Sequence, residues 1–134
     1  MIHRIDHLGV AVKDLEAAIR FYTEVLGLSL AGREELQGLK VAFIRVGDDE
    51  IELIEDTTPD GPIARYIARR GEGIQHVAFA VPNIQEALQA VKARGVRVID
   101  EVPRRGTRGA EIAFLHPQST HGVLIEFCAH THQP

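Results

Sequence analysis

Four residues of this 134-residue chain, two histidines and two glutamates, are of types that hold divalent metal ions and recur in matching settings. His7 stands in Ile5-Asp6-His7-Leu8-Gly9-Val10-Ala11-Val12, and His76 in Ile74-Gln75-His76-Val77-Ala78-Phe79-Ala80-Val81. Glu52 lies between Ile51 and Leu53, and Glu126 between Ile125 and Phe127, so each is the polar member of a core-seeking strand. Neutral imidazole and carboxylate oxygen suit Mn, Fe, Co, Ni or Zn, and two carboxylates neutralise the ion's charge. Ligands drawn from four strands, with coordination positions left open, would make the ion a Lewis acid rather than a structural staple. One such histidine alone more often satisfies local hydrogen bonds, and one such glutamate faces water. Two of each, matched across a duplication, point to ligation. No local His-Glu-x-x-His spacing is present, so the inference rests on the repeat.

The repeat extends well beyond these four residues. Asp14-Leu15 aligns with Asn83-Ile84, Ala18-Ile19 with Ala87-Leu88, and Gly27 with Gly95 after one dropped residue. Further on, Ala42-Phe43-Ile44 aligns with Ala113-Phe114-Leu115, and Ile51-Glu52-Leu53 with Ile125-Glu126-Phe127. Several blocks in one order identify an internal duplication, which sets the architecture.

Each copy has a readable plan. The first segment alternates, so one strand face carries His7, Gly9 and Ala11 and the other Leu8, Val10 and Val12. In the second copy His76, Ala78 and Ala80 stand against Val77, Phe79 and Val81. A histidine among small residues is what a strand lining a cavity would show. A helix follows in each copy. Asp14 caps the first, with Leu15, Ala18, Ile19, Tyr22, Val25 and Leu26 at helical spacing before Gly27. Asn83 caps the second, with Ile84, Ala87, Leu88 and Val91 before Gly95. Three short strands are then expected near 28–36, 39–47 and 50–56, and again near 96–103, 110–116 and 122–128.

Pro62 opens a linker helix over residues 61–71. The expected fold is α+β: two βαβββ modules (about 3–57 and 73–129) in one domain spanning 1–134. A pseudo-twofold would relate them, in a curled eight-stranded sheet around a metal-binding cleft.

Composition narrows the function. Net charge is −4, aromatics are 5% and Trp is absent, which is neither the basic footprint nor the stacking surface of a nucleic-acid binder. No apolar run is long enough to span a bilayer, and the start lacks an export-signal pattern. With a single cysteine, Cys128, the chain reads as cytoplasmic. Cys128 itself reads as a small buried hydrophobe on the strand face of Glu126. Arg104, Arg105 and Arg108 read as a solvated basic loop, His116-Pro117 as a strand-ending turn, and His130-Thr131-His132 as a frayed polar tail. No Gly-rich phosphate loop or nucleophile elbow appears.

The double βαβββ plan with its His/Glu quartet resembles the vicinal-oxygen-chelate superfamily of glyoxalases, extradiol dioxygenases and fosfomycin or bleomycin resistance proteins. Within it the chain is most similar to the methylmalonyl-CoA epimerases. The similarity runs through the two histidine strands, Phe21-Tyr22, Leu26-Gly27, Glu50-Ile51-Glu52-Leu53 and Gly61-Pro62-Ile63-Ala64. It continues in Arg70-Gly71-Glu72-Gly73, Phe114-Leu115-His116-Pro117 and Gly122-Val123-Leu124-Ile125-Glu126.

That resemblance implies a divalent ion, cobalt or manganese ahead of nickel or zinc, on His7, Glu52, His76 and Glu126. It implies interconversion of (R)- and (S)-methylmalonyl-CoA in propionate metabolism, by a homodimer. Glu126 is one candidate base, and Glu52, an unassigned group or water the other. Two departures stand out: Gln75 precedes His76 where many members have a second histidine, and Val41 takes the place of a third-strand glutamate that some members use as acid/base. Arg104, Arg105, Arg108 and Lys40 are candidates for the nucleotide end of the substrate by charge alone. The rival readings are a glyoxalase I-type lyase and a non-catalytic binding or resistance protein of the same fold.

Overall fold

Local signals account for most element boundaries. In the computed structural model, which describes residues 1–130, β1 (Arg4–Ala11) leads to α1 (Leu15–Arg20). Asp14 caps α1 by accepting the Ala17 N–H at 3.1 Å, satisfying one of the donors a helix start leaves open. Three strands follow: β2 (Ser29–Leu36), β3 (Leu39–Val46) and β4 (Asp49–Asp56). Gln37 and Gly38 both have positive φ, which suits the tight turn between β2 and β3.

The second copy repeats the plan. It comprises β5 (Gly73–Ala80), α3 (Ile84–Ala93), β6 (Arg104–Arg105), β7 (Glu111–Phe114) and β8 (Ile125–Ala129). Asn83 caps α3 through the Glu86 N–H at 2.9 Å, the same capping offset as Asp14. Between the copies lies α2 (Pro62–Arg70). The α+β class and the plan of two βαβββ copies with eight strands are those the sequence predicts, with one strand displaced. Among the described residues no helix is long and apolar enough to cross a membrane.

Two compact units emerge: His7–Gln75, and Met1–Asp6 together with the described residues from His76 onward. In the first unit the strand order is β2-β3-β4-β1, with β1 and β4 parallel and the other pairs antiparallel. The second has β5-β8-β7-β6, with β5 and β8 parallel. Its first residues are held by the His3 N–H, which donates to the Ala80 carbonyl at 2.9 Å.

The cores obey the repeat. Val12, Leu15, Ile19, Ala42, Ile44 and Leu53 pack together in the first unit, and Val81, Ile84, Leu88, Ala113, Leu115 and Phe127 in the second. These are equivalent positions, one for one. A further cluster in the first unit sets Ile63 of α2 against Ala11, Val41, Phe43 and Ile54.

Two expectations need correction. The strand expected near 96–103 is reduced to an isolated bridge between Val98 and Leu115, and β6 begins only at Arg104. Here a few backbone bonds, such as Ile99 N–H to the Phe114 carbonyl and His116 N–H to the Arg97 carbonyl, both at 2.9 Å, are joined by side chains: the Asp100 carboxylate accepts the Phe114 N–H at 2.8 Å, and the Ser119 hydroxyl accepts the Arg97 N–H at 2.9 Å. The helix expected to run to Leu26 changes after Arg20 into a π-helical turn over Phe21–Val25. The wider turn breaks the 3.6-residue phase, leaving Val25 and Leu26 exposed instead of on the core face.

At the surface, Arg33 and Glu16 form a two-pronged ion pair between β2 and α1. Hydrogen bonding from Arg33 holds the Glu16 carboxyl below its usual range. Such a pair helps above the ordinary carboxylate pKa and loses its effect as pH falls through the lowered one, though full exposure keeps the effect small.

The start of α2 is closed by Asp56, whose carboxylate accepts the Ala64 N–H at 2.6 Å. Gly61 leaves room for it: a Cβ there would meet Asp56 Oδ1 at 2.0 Å. Gly61→Ala should therefore evict the Asp56 cap and lower stability in urea denaturation by about 1 kcal/mol. Asp56→Ala should cost a similar amount, and the double variant little more than either, because both remove one interaction. Additive losses would show that Gly61 matters for another reason.

Candidate metal centre

A parallel strand pair explains how His7 meets Glu52. In the register of β1 and β4, Gly9 stands beside Glu52. His7 is two residues earlier, hence on the same face as Gly9. With no side chain at Gly9, the imidazole and the carboxylate reach each other diagonally: His7 Nδ1 lies 3.4 Å from Glu52 Oε2. Both are buried, at 3% and 7% exposure.

The second unit repeats this arrangement. Ala78 of β5 stands beside Glu126 of β8, and His76 is again two residues earlier. His76 Nε2 lies 3.2 Å from Glu126 Oε1, with both residues 4% exposed. The match extends one strand further: Phe43 is in register with Glu52, and Phe114 with Glu126. Each unit thus carries a row of phenylalanine, glutamate and small residue across three strands, with a histidine set back by two. The two copies differ in which imidazole nitrogen faces the carboxylate, Nδ1 in His7 and Nε2 in His76.

These donors fit a divalent ion. Nitrogen and oxygen ligands at about 2.1 Å from one ion stand about 3.0–3.4 Å apart, which matches the spacing inside each pair. A buried carboxylate also needs a compensating group, and an imidazole with or without a cation supplies it.

The flanks of the two pairs differ. In the first unit Val41 and Phe43 are buried against Ile54 and Ile63, so the face beside Glu52 is apolar and covered by α2. In the second, the half-buried Phe114 ring meets the His76 imidazole edge-on at 5.6 Å, and the Arg104 guanidinium lies over that ring at 5.2 Å. Sequence reasoning missed this role of Phe114, although the repeat places it opposite Glu126 as Phe43 is opposite Glu52.

Other candidates fall outside this constellation. Arg104 is also paired with Asp100 at 3.0 Å, Arg105 and Arg108 are exposed, and Lys40 lies 3.8 Å from Glu55. His116 caps a short turn by accepting the Gln118 N–H at 3.1 Å. Cys128 is buried, as expected, but lies 3.7 Å from His130 Nε2, and His130 is 2.8 Å from Asp6 Oδ1. His130, expected as part of a frayed tail, is held by these contacts; Thr131 and His132 lie outside the described residues.

The small residue beside each glutamate is the testable element. Ala78→Leu should push Glu126 away from His76, costing about 1–3 kcal/mol by overpacking. Cobalt or manganese affinity measured calorimetrically should fall with it. Unchanged affinity would show that the diagonal contact does not set the ligand geometry.

Comparison with known proteins identifies the family. Residues 4–127 match the Glyoxalase/Bleomycin resistance protein/Dioxygenase superfamily. The mitochondrial methylmalonyl-CoA epimerase of Bos taurus is 36% identical over 126 residues, covering 92% of this chain and 72% of that protein. A variant of the Streptomyces coelicolor methylmalonyl-CoA epimerase, solved in complex with 2-nitronate-propionyl-CoA, is 34% identical; the alignment covers 100% of both chains, with a TM-score of 0.94. A probable lactoylglutathione lyase of Vibrio cholerae is 34% identical over 127 residues, covering 92% of this chain and 88% of that protein. With its duplicated strands and its two buried His–Glu pairs, the chain belongs to the Glyoxalase/Bleomycin resistance protein/Dioxygenase superfamily.

Proposed function

We propose that this chain is a metal-dependent epimerase that interconverts (R)- and (S)-methylmalonyl-CoA, with His7, Glu52, His76 and Glu126 as ligands of one divalent ion. The observation that carries the proposal is the pair of buried His–Glu contacts at matching register, in a chain similar to methylmalonyl-CoA epimerases over nearly its whole length. In this reading the two modules act as one domain around a shared cleft. The substrate is a small thioester, not a nucleic acid or a membrane, and the protein works as a cytoplasmic homodimer in propionate metabolism.

The chemistry is removal of a proton alpha to a thioester carbonyl and its return on the opposite face. The ion, cobalt or manganese in this proposal, supplies Lewis-acid stabilisation of the negative charge that develops on the thioester oxygen. Glu126 takes the alpha proton, and the carbon–hydrogen electron pair passes into the enolate. Glu52, which begins the cycle as the carboxylic acid, then delivers its proton to the other face, so Glu126 ends protonated and Glu52 ionised. Inversion needs a proton carrier on each side of the enolate plane, and two glutamates from duplicated strands supply a matched pair. Val41 supports giving the second role to Glu52, because β3 offers an apolar, buried side chain where some relatives carry a carboxylate. The buried histidines hold position and leave the proton transfers to the carboxylates.

A second reading, a glyoxalase I-type lyase, draws on the Vibrio cholerae relative and on a donor set that serves both chemistries. Against it, the segment before β8 reads His116-Pro117-Gln118-Ser119-Thr120-His121-Gly122 instead of the Asp-Pro-Asp-Gly turn common in glyoxalase I.

A coupled assay with one methylmalonyl-CoA epimer should show turnover that chelator abolishes and cobalt or manganese restores. Glu126→Gln should slow alpha-proton exchange with deuterated solvent by about 10²–10⁴-fold; undiminished exchange removes Glu126 from the role. Turnover of the glutathione hemithioacetal of methylglyoxal, with none of the CoA ester, selects the lyase. Absence of any bindable divalent ion selects a non-catalytic binder.

A further inference from the structure

Outside the two His–Glu pairs, the second unit holds another set of metal-ligating side chains. Asp6 Oδ1 lies 2.8 Å from His130 Nε2, and Cys128 Sγ lies 3.7 Å from the same nitrogen. One ligand atom from each of the three falls within 4.8 Å of the others. Asp6 and Cys128 are buried at 8% and 2% exposure, whereas His130 has an exposed side chain.

An ion pair between Asp6 and His130 would account for two of these residues. The Cys128 thiol, within hydrogen-bonding distance of the same imidazole nitrogen, adds a third donor atom of a metal-ligating type. We propose that Asp6, Cys128 and His130 form a second metal site, selective for zinc-like ions and separate from the His/Glu centre.

Sulfur, nitrogen and oxygen donors at usual zinc distances stand about 3.3–3.7 Å apart around a tetrahedral ion. The sulfur–nitrogen spacing already fits that range. The nitrogen–oxygen spacing needs to open by about half an ångström to fit it, a change the exposed His130 side chain can absorb. The thiolate sets the selectivity: it favours zinc or cobalt over magnesium, calcium or manganese, while the His/Glu pairs offer only nitrogen and oxygen. Two ligands are buried and the third faces solvent, so the ion has a way in and water can take the fourth position.

The site would be structural. Asp6 closes the Met1–Asp6 segment, and Cys128 and His130 lie at the end of β8, so an ion would staple the chain's start to its last strand within one unit. Nothing in this role requires the chemistry proposed for the His/Glu centre.

The sulfur ligand supplies a readout that activity does not. Full-length protein, stripped with chelator and titrated with cobalt(II), should develop a thiolate-to-cobalt charge-transfer band in the near ultraviolet, and zinc should erase it. Cys128→Ser should abolish the band. His130→Ala and Asp6→Asn should each shift its midpoint to at least about tenfold higher cobalt. His76→Ala should leave it in place. Because His130 is exposed, His130→Ala tests the site even where Cys128→Ser fails to fold. No band at saturating cobalt overturns the proposal, as does a midpoint unmoved in both His130→Ala and Asp6→Asn. A band lost with His76→Ala also overturns it, because the thiolate then belongs to the other centre.

Discussion

The diagonal contact between a histidine and a glutamate across two parallel strands constrains everything else. In both copies it is made across a parallel pair, by the residue two positions before the in-register partner. It requires a small residue at the in-register position, which Gly9 and Ala78 supply. It requires burial on that face and a packed helix on the other, because residues flanking the histidine alternate to the core. The helix in turn has to follow β1 or β5 directly, and the two antiparallel strands have to return the chain so that β4 or β8 enters beside its parallel partner. A βαβββ module meets all of these demands.

Duplication then explains why so much of the core is paired. A half-core of one helix on four strands uses the same positions in both copies: Leu15 answers to Ile84, Ile19 to Leu88, Leu53 to Phe127. The copies differ in β2 against β6 and in the turn that ends α1, and they differ again on the site face. The first unit covers that face with α2 and seals it with Val41, Phe43, Ile54 and Ile63. The second leaves Phe114 half-buried between an imidazole and a guanidinium. The core positions stayed matched, as did Phe43 and Phe114 beside the carboxylates, whereas what packs on those two rings did not.

Much of this was legible in the residues. The aligned histidine strands and the aligned Ile-Glu-Leu and Ile-Glu-Phe blocks indicated which polar side chains share equivalent places, and strand alternation indicated their faces. Alternation could not supply register, and register is what turns His7 and Glu52 into neighbours. Val96, Val98 and Ile99 give residues 96–103 a strand-like composition, but backbone pairing there is limited to a few bonds around the Val98–Leu115 bridge, and the Asp100 and Ser119 side chains that complete it have no periodic signature. The π-helical turn was equally hidden, since Tyr22, Val25 and Leu26 fit a helical period that the backbone abandons after Arg20. The contact of Asp6 with His130 spans nearly the whole chain. Its one local hint was a polar residue before each strand histidine, Asp6 before His7 and Gln75 before His76.

Equivalent position does not make the two glutamates chemically equivalent. A low-dielectric flank disfavours an unpaired carboxylate charge and strengthens whatever opposite charge is near it. Glu52 has that kind of flank, sealed by aliphatic side chains from β3, β4 and α2. Around Glu126 the neighbouring ring carries an arginine on its face, so a positive charge sits behind the aromatic that borders the His76 pair. Around a matched framework the two carboxylates therefore have unmatched surroundings, and the difference is built without disturbing the strand register that brings each histidine to its glutamate.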